Sequence, residues 1–183
     1  MDSIQTCPRR KPVNKITLFI ESLKFFMCAL LVGYVLSLMT EKVLRINRIY
    51  FYFLTGLIVA TLASYFKLRM FLNPNYHPSC DCEEETALDG VFTILKHKKS
   101  AIFMGIPNTV MGMFFYTFMI ILNAYGGVFV GYGLAYFITL ISTLVSCIGS
   151  LYLWYTMICE VKSVCVICST IHAMSFLTLV ALV

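Results

Sequence analysis

Apolar residues gather along this chain into five blocks divided by short polar links. The first runs from about 16 to 40, broken early by Glu21 and Lys24 and then apolar from Phe25 to Thr40. A basic link from Lys42 to Arg48 leads to a second block at about 50–71, which at roughly 20 residues is long enough to cross a bilayer as a helix. A third block at about 101–123 carries Gly105-Ile106-Pro107-Asn108 near its start, a fourth runs from about 128 to 158 after Gly126-Gly127, and a fifth spans 165–183. Ser142, Ser146, Gly149 and Ser150 give the fourth block small residues for close helix contacts. The pattern predicts an all-α integral membrane protein with one sizeable polar loop at 72–100.

Composition removes the soluble alternative: 60% of the 183 residues are hydrophobic and only 13% are charged, too few for a polar shell. The net charge of +5 comes without a long basic run interleaved with aromatics, so it predicts basic links beside lipid head groups and no nucleic-acid partner. Residues 1–15, with Arg9, Arg10, Lys11 and Lys15, read as a mobile basic tail. The first block has no small-residue cleavage site behind its apolar core, which predicts a signal anchor or a true span. No internal repeat, Gly-rich phosphate loop, metalloprotease motif or serine-triad signature occurs.

Chemistry concentrates in the cysteines. Of the eight, Cys28 and Cys147 lie inside apolar blocks, Cys7 in the tail and Cys159 at a block end, which leaves two pairs, Cys80/Cys82 and Cys165/Cys168. The polar loop holds the first pair, followed by Glu83, Glu84 and Glu85, which read as solvated, and by Lys96, Lys98 and Lys99, which suit lipid phosphates. Cys165-Val166-Ile167-Cys168 opens the last block, so Cys165 falls at a helix start, where unpaired N–H groups and the helix dipole favour a thiolate. Helical spacing sets both thiols and His172 on one stripe. Two blocks separate the loop from this dithiol, so both cysteine pairs sit on one side of the membrane and thiol–disulfide exchange between them is open. Alternatives stand beside this reading: a closed four-thiolate site for zinc or copper(I), or structural disulfides in a non-catalytic tetraspan protein. Spacing alone also leaves Asn108 as either a helix cap or a ligand-binding group, and His172 as either a site residue or a packing histidine.

Taken together, Tyr76, Cys80-Asp81, Val91-Phe92, Gly105-Ile106-Pro107-Asn108, Gly112, Phe115-Tyr116, the stretch from Ser142 to Leu153 and Cys165-Val166-Ile167-Cys168 resemble the pattern of the vitamin K epoxide reductase family, in the same order. The likeness covers roughly 50–183, a four-helix core, and leaves 16–49 as an extra N-terminal membrane segment with its basic link. The link from the fourth block to the dithiol is similar to that of animal members, and the short link from Phe92 to Gly105 is similar to that of prokaryotic or plant members. The resemblance implies a transmembrane bundle that reduces a quinone of the vitamin K or ubiquinone/menaquinone type, with its epoxide as a second substrate. It implies no tightly bound cofactor and no metal, membrane lipid as surroundings, and a thioredoxin-like or other dithiol protein as electron donor. Cys168 is then expected to attack and Cys165 to resolve, with Cys80 and Cys82 as the loop relay. Asn108, His172, Phe92, Phe115 and Tyr116 are expected around the quinone ring. The implied setting is the endoplasmic reticulum membrane with a lumenal site, or a prokaryotic inner membrane with a periplasmic one.

This sequence departs from the family pattern in three places. Where relatives carry a second loop cysteine, it has Ala87-Leu88-Asp89, and the remaining loop thiol is Cys82. His172 stands where relatives carry a tyrosine. The extra segment, if it crosses as the fifth span favoured by its apolar stretch, puts the basic tail on the dithiol side, against the preference of positive charge for the cytoplasm; a first segment lying in the interface or re-entering would remove that conflict.

Overall fold

A computed structural model of the chain describes residues 15–44, 47–73, 94–95, 106–163 and 165–183. Within them five long helices form: α1 (Lys15–Leu44), α2 (Arg48–Leu72), α3 (Asn108–Phe129), α4 (Tyr132–Thr156) and α5 (Val166–Leu182), with no strand among the described residues. α1 to α4 are each long and apolar enough to cross a membrane, and α5, at 17 residues, is shorter. The tail, the loop from Pro74 to Thr93 and the basic cluster at 96–99 lie outside the described residues.

The outward faces identify the solvent. Phe114, Val145 and Ile148 are 69%, 63% and 68% exposed, and side chains like them line the outside of α1 to α4, with Val180 exposed on α5. Such a surface suits lipid and would aggregate in water. Hydroxyls inside the apolar helices bond to their own backbone: Thr40 donates to Leu36 O, Thr61 to Leu57 O, Thr139 to Ala135 O and Thr178 to Met174 O. In a medium without water that local bond replaces hydration.

α2 to α5 close a ring, with α2 against α3 and α5, and α4 against α3 and α5. Phe53 and Ala60 of α2 meet Tyr116 and Met119 of α3 in one buried cluster, and Tyr52 meets Ala173, Met174 and Leu177 of α5 in another. The sequence pattern predicts a break at Gly126-Gly127, but α3 runs on through both to Phe129 and the chain turns at Gly131, whose φ of 85° favours glycine. The glycine pair serves packing instead: a Cβ on Gly126 would stand 2.9 Å from Ala135 Cβ of α4. α3 also starts later than the apolar pattern suggests, because Pro107 is extended (φ −57°, ψ 133°) and the helix begins behind it.

α1 is a full member of the bundle. Phe19 and Phe26 stack on Trp154 at the end of α4, with ring centroids 5.8 and 5.4 Å apart, and Ser22 Oγ accepts from Trp154 Nε1. Further along, Phe26 meets Phe176 edge-on, Ala29 and Leu30 pack on the α5 cluster, and Ser37 Oγ shares a 2.7 Å hydrogen bond with Tyr52. α1 therefore runs parallel to α5 along the bundle, neither lying flat nor turning back. Its start stands at the dithiol end, and its other end joins α2 through an ion pair from Arg48 Nε to Glu41 Oε2 at 2.6 Å.

Two outcomes follow from this packing. Gly56 lies beneath the Tyr116 ring, so that a Cβ there would come within 2.8 Å of Cε2; Gly56→Ala is expected to cost about 1–3 kcal/mol in detergent unfolding, whereas Gly149→Ala, on an open surface, is expected to be neutral. In sealed vesicles, a membrane-impermeant maleimide is expected to label single-cysteine variants retaining Cys7 or Cys82 from the same face. Labelling from opposite faces would contradict five crossings.

Candidate functional site

The site is built by a chain reversal. α4 widens in its last turn into a π turn over Met157–Val161, and Lys162, left-handed at φ 54°, sends its N–H back to Met157 O. Ser163 N–H follows it to the same carbonyl at 3.4 Å. The chain then enters α5 with Cys165 in the capping position (φ −122°, ψ 110°), and Cys165 Sγ accepts the Cys168 N–H at 3.1 Å. A sulfur at that place faces the unpaired amides of the first turn, which favours its thiolate when the pair is reduced. Cys165 and Cys168 are joined as a disulfide with Cα atoms 5.3 Å apart.

Burial distinguishes the two sulfurs. Cys165 has no exposed surface and sits in a cluster with Leu95, Met157 and Ile158, while Cys168 is half-buried. The thiol expected to meet the loop is thus the more enclosed of the two. Leu95 belongs to a helical turn whose carbonyl accepts from Lys67 Nζ of α2. Phe66 and Met70, near the end of α2, pack on the same cluster, which fixes this as the bundle end where α2 finishes and α3 and α5 begin.

His172 lies one turn beyond Cys168 on α5, 6% exposed, and its Nδ1 has no hydrogen-bond partner among the described residues. Ser169 Oγ, on the turn between, is likewise buried and without a partner. Asn108 is the first residue of α3, half-buried, and Pro107 rather than Asn108 takes the capping position. Phe115 sets its ring edge-on to Tyr116 at 5.3 Å. The Tyr116 hydroxyl is engaged inside the bundle, donating to Ile171 O at 3.3 Å and sharing a 3.2 Å bond with Ser175, which in turn pairs with Ser146 at 3.1 Å. Cys80, Cys82 and Phe92 lie outside the described residues, so the loop half of the expected relay, and half of the four-thiolate alternative, have no described position. A cavity of about 220 Å3 lies at the other end of the bundle, between Ile49, Asn123, Tyr136 and Leu182, away from the dithiol.

Sequence reasoning missed Ser175 and the enclosing role of Leu95, Met157 and Ile158. Ser175 left a signal, a hydroxyl one turn beyond His172 in an apolar block. The covering residues left none, because ordinary apolar side chains carry no mark of which thiol they shield.

A helical membrane bundle with a dithiol at the mouth of one helix defines a membrane thiol oxidoreductase. Residues 47–183 match the vitamin K epoxide reductase family, and the chain belongs to that family. The match takes in α2 to α5 and leaves α1 outside it.

An imidazole nitrogen kept buried without a partner costs stability, about 1–3 kcal/mol for such a group. His172→Phe is therefore expected to leave the melting temperature in detergent unchanged or raised, while Tyr116→Phe, which removes a satisfied hydroxyl, is expected to lower it.

Proposed function

We propose that this protein reduces a quinone of the vitamin K or ubiquinone/menaquinone type, and the corresponding epoxide, with electrons from the Cys165/Cys168 dithiol. The observation that carries the reading is the pairing of a disulfide at a helix start with two unpartnered buried polar groups, Ser169 Oγ and His172 Nδ1, on the following turns. Buried polar atoms without partners await a ligand that bonds them, and a quinone brings two carbonyl acceptors in an apolar frame.

In the reductive half, Cys168 thiolate attacks a ring carbon of the quinone and forms a carbon–sulfur bond. Cys165 then attacks Cys168 Sγ; the carbon–sulfur bond breaks, the disulfide forms and the ring leaves as hydroquinone. Two electrons and two protons pass from the thiols to the quinone. Asn108 and an N–H of the neutral His172 imidazole serve as donors to the oxygens on which charge develops, and Phe92 and Phe115 pack on the ring. In the other half, Cys80 and Cys82 carry the disulfide to a thioredoxin-like or other dithiol protein, which is oxidised in turn. The site faces the lumen of the endoplasmic reticulum, or the periplasm in a prokaryotic membrane.

The test is turnover of quinone by the purified protein with dithiothreitol as donor. Cys168→Ala is expected to abolish it, and Cys165→Ala to abolish it while accumulating a quinone adduct or charge-transfer band on Cys168. Full turnover in both variants would refute the assignment, and stoichiometric zinc or copper in the purified protein would move it to the four-thiolate reading.

A further inference from the structure

Ser64 of α2 and Thr109 of α3 carry hydroxyl oxygens that are closed off from solvent and have no hydrogen-bond partner among the described residues. Other hydroxyls in the apolar helices, such as those of Thr61, Thr139 and Thr170, return to the carbonyl four residues back. Thr109 has no such carbonyl within its own helix, being the second residue of α3. Ser64 has Ala60 O one turn back and is not bonded to it. A hydroxyl enclosed in this way carries the cost of an unmade bond.

Helix register sets both oxygens at the height of the dithiol. α2 and α3 run antiparallel, with Gly56 against the Tyr116 ring and with Ala60 Cβ 3.6 Å from where a Cβ on Gly112 would stand. The next step along that seam faces Ser64 with Asn108 and Thr109. α3 and α5 both start at the dithiol end, and the Tyr116 hydroxyl reaches Ile171 O and Ser175 Oγ. Two helical turns back from those contacts, Thr109 faces the turn that ends at Cys168. α2 closes on the same place, since Phe66 and Met70 pack on the cluster that Ile167 and Cys168 also touch. Ser169 and His172, 2% and 6% exposed and with Oγ and Nδ1 unpartnered, follow on α5. Four unpartnered polar atoms thus mark two walls at one end of the bundle, the α2–α3 seam and α5. Thr143, also unpartnered, lies beyond Ser146 toward the opposite end, and by the same register Thr156 stands level with Cys165, above the other four.

We propose that Ser64 and Thr109 bind one oxygen of the quinone, so that the ring lies across the bundle with that oxygen on the α2–α3 seam beside Asn108 and the other at Ser169 and His172. The proposal rests on the reading of this protein as a quinone reductase and adds which groups orient the ring. Each hydroxyl donates to the carbonyl of the oxidised ring. Once that oxygen is reduced to a hydroxyl, the same side chain turns and accepts from it, so both forms are held. The arrangement also selects its substrate. A ring with two opposed oxygens bonds both walls, whereas a ring with one leaves buried hydroxyls unpaired, and sites of that kind discriminate strongly.

The test is binding by the full-length oxidised protein in nanodiscs, read from quenching of Trp154, the one tryptophan of the chain, at the dithiol end of α4. The probes are menadione, with two opposed carbonyls, and methyltetralone, which keeps the same carbon skeleton with a single carbonyl. The native protein is expected to bind menadione the more tightly. In the double variant Ser64→Ala, Thr109→Val, menadione affinity is expected to fall roughly tenfold while methyltetralone affinity stays unchanged, so that the preference is lost. Thr109→Ser, which keeps the hydroxyl, is expected to retain the preference. Thr143→Val removes an unpartnered hydroxyl away from the dithiol and is expected to leave both affinities as they are. Without ligand, the double variant is expected to melt no lower than the native protein, because no bond within the fold is lost. A lower melting temperature, or menadione bound equally by the native protein and the double variant, overturns the proposal and leaves the quinone reading standing. A native protein that binds neither probe overturns both.

Discussion

The hydrogen bond from the Cys168 amide to Cys165 Sγ, 3.1 Å long, is the constraint on which the site depends. It makes a sulfur the cap of α5, in the place where soluble helices use a serine or aspartate oxygen. One atom therefore ends the loop, starts the helix and takes part in the redox bond. The capping geometry requires the chain to arrive extended, and the π turn with its left-handed exit at Lys162 delivers it so. Local folding of the connection between α4 and α5 and reactivity of the dithiol are consequently one problem: whatever loosens the turn also uncaps the sulfur.

Below that cap the bundle obeys the rules of a solvent without water. Several hydroxyls in the helices return to a carbonyl one turn back, and Tyr116, Ser175 and Ser146 form a chain between three helices. Against that background the unpartnered Ser169 Oγ and His172 Nδ1 stand out. Other hydroxyls in the bundle are also unpartnered, among them Thr143 and Thr156, but these two share the dithiol's own helix within the next turn. An imidazole there carries two ring nitrogens, where a phenol at the same position would have a single oxygen.

Much of this was legible in the sequence, and the misses have physical causes. Five apolar blocks gave five helices because hydropathy is the property a bilayer selects. Gly126-Gly127 misled, since glycine that breaks a helix in water is held helical in lipid by the cost of exposing its amide and is used for close approach. Cys165 as a helix-start thiol could be read from Cys-x-x-Cys at the edge of an apolar block. The order of burial could not: enclosure of Cys165 is set by Leu95, Met157 and Ile158 arriving from elsewhere in the chain. The Ser175 to Tyr116 bond likewise joins residues on different helices, and periodicity within one helix carries no information about its partner.

α1 sharpens a conflict of charge. Its packing along α5 removes the option of a segment lying in the interface, so the start of α1 at Lys15 and the dithiol share one end of the bundle, while Lys42 and Arg48 mark the other. Arg48 is partly offset there by Glu41. Counted as charges alone, this arrangement does not favour a lumenal or periplasmic dithiol. What retains α1 in that orientation is the completed bundle: the Trp154 ring between Phe19 and Phe26, and Ser37 on Tyr52, are contacts that exist only if α1 runs parallel to α5. The extra helix thus closes against the one element that carries the dithiol.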